Sequence, residues 1–235
     1  MRAVTDRGQL QATINKPVDS WWTVLVIDPI AMRVVPALVP LRWVTPNGLT
    51  VVALALGVGA GVAFLWGPLW VGAVLFQLRF LFDCLDGKLA RARGAGSARG
   101  AALDLTTDVV TITWCYAALA LRVVLAGSAH VALIAAIVGM VNVFAWVLLY
   151  RKTLPDPPPR DGERTGWAAS LEQRRLMATP IYSVEAEIIS LSLVPLFGDL
   201  TAVAIALWVV VGFYVAATAV NLLRVWRRAT AVDRG

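Results

Sequence analysis

Six stretches of this 235-residue chain, at about 49–66, 69–90, 102–126, 129–150, 179–197 and 200–223, are long and apolar enough, or nearly so, to cross a bilayer. A spanning helix needs roughly 20 mostly apolar residues. A chain that repeats such segments has no compact state in water that would bury them. Composition agrees: 59% of residues are hydrophobic and 15% charged, where a soluble domain carries about 25% charged residues. Disorder, a coiled coil and a disulfide-stapled miniprotein are excluded. The expected fold class is an all-α membrane protein with six transmembrane helices. Cys84 and Cys115 both lie in apolar stretches and read as buried thiols. Residues 1–20 contain no apolar core of a cleavable signal peptide.

The basic residues set the expected orientation. All but three of the 21 Lys and Arg residues fall in the N-terminal segment, the 91–101 loop, the 151–178 loop or the tail, which share one side of a six-span arrangement. The exceptions are Arg79, Lys88 and Arg122. Positive residues stay on the cytoplasmic side, so both termini are expected there. The net charge of +6 then reflects this bias and attraction to anionic headgroups or phosphates, not nucleic acid. Residues 20–43 are apolar but broken by Asp28, Pro29, Arg33, Pro36 and Pro40. They read as an N-terminal cytoplasmic interfacial helix, with Trp21 and Trp22 at headgroup level. The expected organisation is a cytoplasmic segment over 1–44, a six-helix membrane domain over 45–225 and a basic tail over 226–235. Thr45 and Pro46 read as the cap and first residue of span one.

Spans two and three carry what the others lack. Asp83, Asp86, Gly87, Ala90 and Arg91 are related by steps of three and four and share one helical face; Asp104 and Asp108 are one turn apart. Ionisable groups in a membrane are costly and functional by default. At about 1.5 Å per residue, Asp86 and Asp104 both lie within roughly 8 Å of the turn around 91–100, so the acidic faces can meet at one depth. Four converging carboxylates call for cations, and an oxygen-only set suits Mg²⁺, Mn²⁺ or Ca²⁺. Small residues from Gly87 to Gly100 allow close approach of helices or substrate, and Arg91, with Arg93 or Arg99, can hold phosphate oxygens. Acids, cations and arginines together point to phosphoryl chemistry.

The pattern Asp83-x₂-Asp86-Gly87-x₂-Ala90-Arg91-x₈-Gly100-x₃-Asp104-x₃-Asp108 resembles the full signature of the CDP-alcohol phosphotransferases. The resemblance implies an integral membrane enzyme, a homodimer, in which a CDP-linked alcohol such as CDP-diacylglycerol passes its phosphoryl-alcohol group to an acceptor hydroxyl and CMP leaves. It implies that Asp83, Asp86, Asp104 and Asp108 hold Mg²⁺ or Mn²⁺, as two ions, with Asp108 also the general base. Gly87, Ala90, Arg91 and Gly100 are implied to form the CDP pocket, with Asn47 and Thr50 as further candidates for nucleotide contact. A soluble CDP-alcohol donor with a lipid or polyol acceptor remains the alternative, and an intramembrane cation transporter the remote one. Composition, rich in Ala, Val, Leu and Arg, suggests a GC-rich bacterial genome, with the protein in the cell membrane.

The acceptor is less legible. Family members that use inositol phosphate or glycerol phosphate place basic residues around the acceptor pocket in the later spans. Here Arg151 and Lys152 close span four, but span five opens Tyr182-Ser183-Val184-Glu185-Ala186-Glu187 without an arginine. Glu185 and Glu187 are two residues apart and point roughly 200° from each other, so at most one faces the cavity; both can instead snorkel at the interface. Arg79 either neutralises Asp83 or lines the cavity.

Overall fold

The computed structural model describes residues 7–153, 166–178 and 182–232. Among them every element is helical, apart from one parallel bridge between Asp19 and Leu176. A short α1 (Arg7–Ile14) leads through a π-turn (Thr23–Ile27) into α2 (Asp28–Leu38). The long helices follow: α3 (Pro46–Trp66), α4 (Leu69–Arg93), α5 (Ala98–Leu125) and α6 (Ala132–Thr153). After α7 (Trp167–Gln173), the segment expected as span five is a composite of α8 (Ser183–Ile188), a second π-turn (Ile189–Leu193) and α9 (Val194–Phe197). The last described element is α10 (Leu200–Val232).

Among the described residues, four helices are long and apolar enough to cross a membrane: Pro46–Trp66, Ala98–Leu125, Ala132–Arg151 and Leu200–Thr230. The other two expected spans fall short for physical reasons. α4 carries Arg79, Asp83, Asp86, Lys88 and Arg91 along its length, and the described part of span five is short and interrupted by its π-turn. Large apolar side chains on α3 and α10, among them Val51, Val58, Ile205, Val209 and Leu223, are exposed, a face suited to lipid.

The helix ends obey local chemistry. Thr45 caps α3, its hydroxyl accepting from Gly48 N at 3.0 Å with Pro46 next in line. α4 stops at Gly94, whose φ of 60° is left-handed and costs a glycine nothing. Ser97 then caps α5 by accepting from Gly100 N at 3.0 Å. α3, α4 and α5 pack closely through small residues: a Cβ on Gly61 would lie 2.0 Å from Trp114 Nε1, an atom that donates to Val58 O at 3.1 Å. Gly61→Val is therefore expected to lower stability by about 1–3 kcal/mol, the cost of overpacking. Thermal unfolding in detergent checks this, with Gly139→Ala, which meets nothing within 4 Å, as the comparison.

The main core runs between α3, α4, α5, α6 and α10 around Phe64, Phe76, Tyr116, Leu119, Leu207 and Tyr214. A second apolar cluster joins Ile14, Ala31 and Val35 to Leu49, Leu85 and Leu89. It fastens α1 and α2 against the start of α3 and the end of α4, beside the acidic residues.

Candidate active site

The turn from Gly94 to Ser97 reverses the chain, and α4 and α5, both packed on α3, bring their acidic side chains together. Asp83, Asp104 and Asp108 each offer a carboxylate oxygen within 4.8 Å of the others. Arg79, one turn before Asp83 and buried, donates from Nη2 to Asp108 Oδ1 and stands 3.8 Å from Asp83 Oδ1. One guanidinium thus pairs with two of the three clustered carboxylates. Asp86 sits to the side, its Oδ2 accepting from the Thr50 hydroxyl on α3. The hydroxyls of Thr107 and Thr111 turn back to backbone carbonyls at 2.9 and 2.7 Å, leaving the carboxylates as the donors of the cluster. Oxygen-only donors and surplus negative charge fit a hard divalent cation.

Three cavities meet here. One of about 320 Å³ is lined by all four aspartates together with Lys16, Asp19, Arg91, Ser183 and Glu187. A second, of about 220 Å³, is lined by Asn47, Thr50, Gly87, Ala90, Arg91 and Gly100, all six residues expected to contact the nucleotide. The two share Asp86, Gly87, Arg91 and Asp104 as a common wall. Gly100 keeps this space open, since a Cβ there would lie 3.1 Å from Ser97 Oγ and 3.4 Å from Asn47 Oδ1. The third cavity, about 170 Å³, is walled by Leu105, Val109, Val141, Phe144 and Leu148, and its polar lining comes from Asp108, Ser183, Glu187 and Tyr214.

Residues 43–168, more than half of the chain, match the family model of the CDP-alcohol phosphatidyltransferases. The chain belongs to that family. Among curated relatives of this CDP-alcohol phosphatidyltransferase, the phosphatidylinositol phosphate synthase of Corynebacterium glutamicum is 37% identical over 98 residues, 38% of this chain and 42% of that one. That of Mycobacterium marinum is 41% identical over 68 residues, 28% of this chain and 29% of the other. The chain thus matches less than half the length of these relatives. The fold is that of the Mycobacterium tuberculosis phosphatidylinositol phosphate synthase. Its crystal structure with CDP-DAG bound superposes with a TM-score of 0.62 at 23% identity, covering 84% of this chain and 94% of that one. Its complex with manganese and citrate gives 0.63, covering 83% and 88%.

The remaining expected site residues of this CDP-alcohol phosphatidyltransferase separate by geometry. Glu187 faces two cavities and accepts from the Tyr214 hydroxyl at 3.2 Å. Glu185 points elsewhere, accepting from Tyr182 N at 3.0 Å and Trp22 N at 3.2 Å as a helix cap. Both are buried, so neither reaches toward headgroups. Arg151 donates to Asn221 Oδ1 at 3.1 Å and lines none of the three cavities; the Lys152 side chain lies outside the described residues. Arg93 is engaged by backbone carbonyls. It donates to the carbonyls of Leu38, the last residue of α2, and of Val39, Leu41 and Val44 beyond it. Arg79 pairs with both Asp83 and Asp108. Lys16, Asp19, Ser183 and Tyr214 line the cavities without having been singled out in the sequence. Only Tyr214, a hydroxyl in an apolar helix, carried a signal that could have found it.

Proposed function

We propose that this protein transfers the phosphoryl-alcohol group of a CDP-alcohol, with CDP-diacylglycerol as donor, to an acceptor hydroxyl in phospholipid synthesis, releasing CMP. The observation that carries this is the common wall of Asp86, Gly87, Arg91 and Asp104 between the acid cavity and the nucleotide-type cavity. A diphosphate lying across that wall would have its nucleoside on one side and its reacting phosphorus beside the acids. The protein is read as six-spanning with cytoplasmic termini and an interfacial α2, in a bacterial cell membrane, and as a homodimer by family resemblance.

The chain's own groups would act as follows. Asp83, Asp86, Asp104 and Asp108 would hold Mg²⁺ or Mn²⁺, as two ions. When bound, these would draw charge from the diphosphate and ease the departure of CMP. Asp108 lines both the acid cavity and the apolar one, so an acceptor hydroxyl can sit against it and give up its proton there. The acceptor oxygen bonds to the phosphorus bearing the alcohol as the bond from that phosphorus to the CMP oxygen breaks. Arg79 holds Asp108 in place by donating to its Oδ1. Arg91, on the common wall, orients phosphate oxygens, and the Thr50 hydroxyl fixes the Asp86 carboxylate.

The acceptor is read as inositol phosphate or a related polyol, which the synthases among the relatives support. The apolar cavity beside Asp108 favours a second reading, a soluble CDP-alcohol donor with a lipid hydroxyl as acceptor. The test is CMP release by purified protein with Mn²⁺ and CDP-diacylglycerol, supplying inositol phosphate, inositol, glycerol phosphate and serine in turn. CMP is expected with one acceptor, lost on chelation and restored by Mn²⁺. If none of them yields CMP, the donor assignment falls and the second reading is tested next.

A further inference from the structure

The stretch from the end of α1, residues 14–19, takes no part in the chemistry just described, yet it is heavily fastened beside the acids. Three consecutive residues are each gripped by a basic side chain from elsewhere. The Ile14 carbonyl accepts from Arg91 Nε at 2.7 Å, and Asn15 Oδ1 from Lys88 Nζ at 2.8 Å. The Lys16 carbonyl accepts from Arg175 Nε and Nη2 at 3.1 and 3.0 Å. Behind them, Asp28 pairs with Lys88 and with Arg175, at 2.7 Å each, and both Lys88 and Asp28 are buried. Backbone bonds from Asp19 N to Arg175 O and from Met177 N to Asp19 O extend the attachment.

Arg175 itself has a φ of 64°, a conformation a bulky residue holds only when its surroundings impose it. A buried ion trio is weak evidence for stability; fixing one geometry is its better-attested use. The geometry fixed here is that of Lys16. Its side chain lines the acid cavity with the four aspartates and Arg91. The other cations of that cavity are engaged: Arg79 with Asp83 and Asp108, Lys88 with Asn15 and Asp28, and Arg91 through Nε with Ile14. Among the described residues, the Lys16 ammonium makes no hydrogen bond or ion pair.

We propose that Lys16 is a phosphate-binding residue, carried to the acid cavity on a strap that the Asp28, Lys88 and Arg175 trio fixes in place. This rests on the phosphotransfer reading above. The chemistry recognised is a phosphate anion, which either the donor diphosphate or a phosphorylated acceptor supplies.

The full-length protein with Mn²⁺ is assayed as wild type, Lys16→Gln, Lys16→Arg, Arg175→Gln and the Lys16→Gln/Arg175→Gln double variant. KM and kcat are measured for CDP-diacylglycerol, for inositol phosphate and for inositol, and CDP-diacylglycerol binding is titrated without acceptor. Removing one charge-assisted contact is expected to raise the KM of the phosphate partner about tenfold to a hundredfold, with kcat changing less. Lys16→Arg recovers most of the loss. A rise in the donor KM and dissociation constant assigns the contact to the diphosphate; a rise for inositol phosphate but not inositol assigns it to the acceptor. Arg175→Gln shifts the same constant and adds little in the double variant. A Lys16→Gln protein with unchanged KM values beside an active wild type overturns the role of Lys16 alone, and full additivity overturns the strap. A wild type that neither binds CDP-diacylglycerol nor releases CMP overturns the phosphotransfer reading, and the phosphate site with it.

Discussion

Replacing Asp108 by asparagine is expected to cut the rate of CMP formation by about 10²–10⁴-fold, the usual share of a general base, in a protein that still folds. Asparagine keeps the shape of the side chain, and its amide oxygen can still accept from Arg79 Nη2. What disappears is the charge and the oxygen that would take the proton. Of the three clustered carboxylates, Asp108 alone lines the apolar cavity, with Ser183, Glu187 and Tyr214. It is therefore the one beside which an acceptor arriving from that side can present its hydroxyl. Single-turnover CMP release measures the effect directly. The donor KM should move less than kcat, because the nucleotide-type cavity is lined by Asp86 and Asp104 and not by Asp108. A rate within tenfold of wild type would take the proton-accepting role away from Asp108.

Arg79→Met is expected to lose about 3–5 kcal/mol of stability without added metal, the cost of stripping one partner from a buried ion pair. Arg79 is 2% exposed and lies 5.9 Å from the Phe76 ring centre, so methionine fills much of its volume and leaves Asp83, Asp104 and Asp108 without their countercharge. The Asp108 side chain is 33% exposed, which puts the loss toward the lower end. Added Mn²⁺ would supply the missing charge in the native state only. The gap between the thermal midpoints of variant and wild type is thus expected to narrow as Mn²⁺ is titrated. Equal midpoints without metal, or equal gains on adding it, would remove Arg79 as the cluster's resident countercharge.

What could be read in the chain before its structure was local. A four-residue stride puts Asp104 and Asp108 on one face of α5, and Thr45-Pro46 announces the start of α3, because caps and helical faces depend on near neighbours. The six residues expected at the nucleotide come from α3, α4 and α5, and they line one cavity. The failures are long-range. Nothing about Lys88 says that its partner is Asp28, 60 positions earlier, or about Arg93 that four carbonyls at and beyond the end of α2 would claim it. Lys16 and Asp19 are polar residues in a stretch with no periodicity, and only the docking of that stretch on α4 brings them to the acids. Glu185 and Glu187 could be separated by angle, but which of them faced inward depended on where Tyr214 and Trp22 would lie. The composite of α8, π-turn and α9 is likewise invisible in hydropathy, which averages over a break in the hydrogen-bond ladder.

The turn between α4 and α5 also makes residue count a mechanical dimension of the site. Gly94 ends one helix by its own backbone conformation and Ser97 begins the next by its own side chain, so neither end can slide to absorb a change. One residue inserted between Ala98 and Asp104 would turn everything after it by about 100° about the helix axis, swinging Asp104 and Asp108 together away from Asp83. Such a chain would keep every functional group and lose their meeting point. The outer faces of these helices can drift in sequence with little consequence, but this short interval works as a gauge block between two halves of one tool.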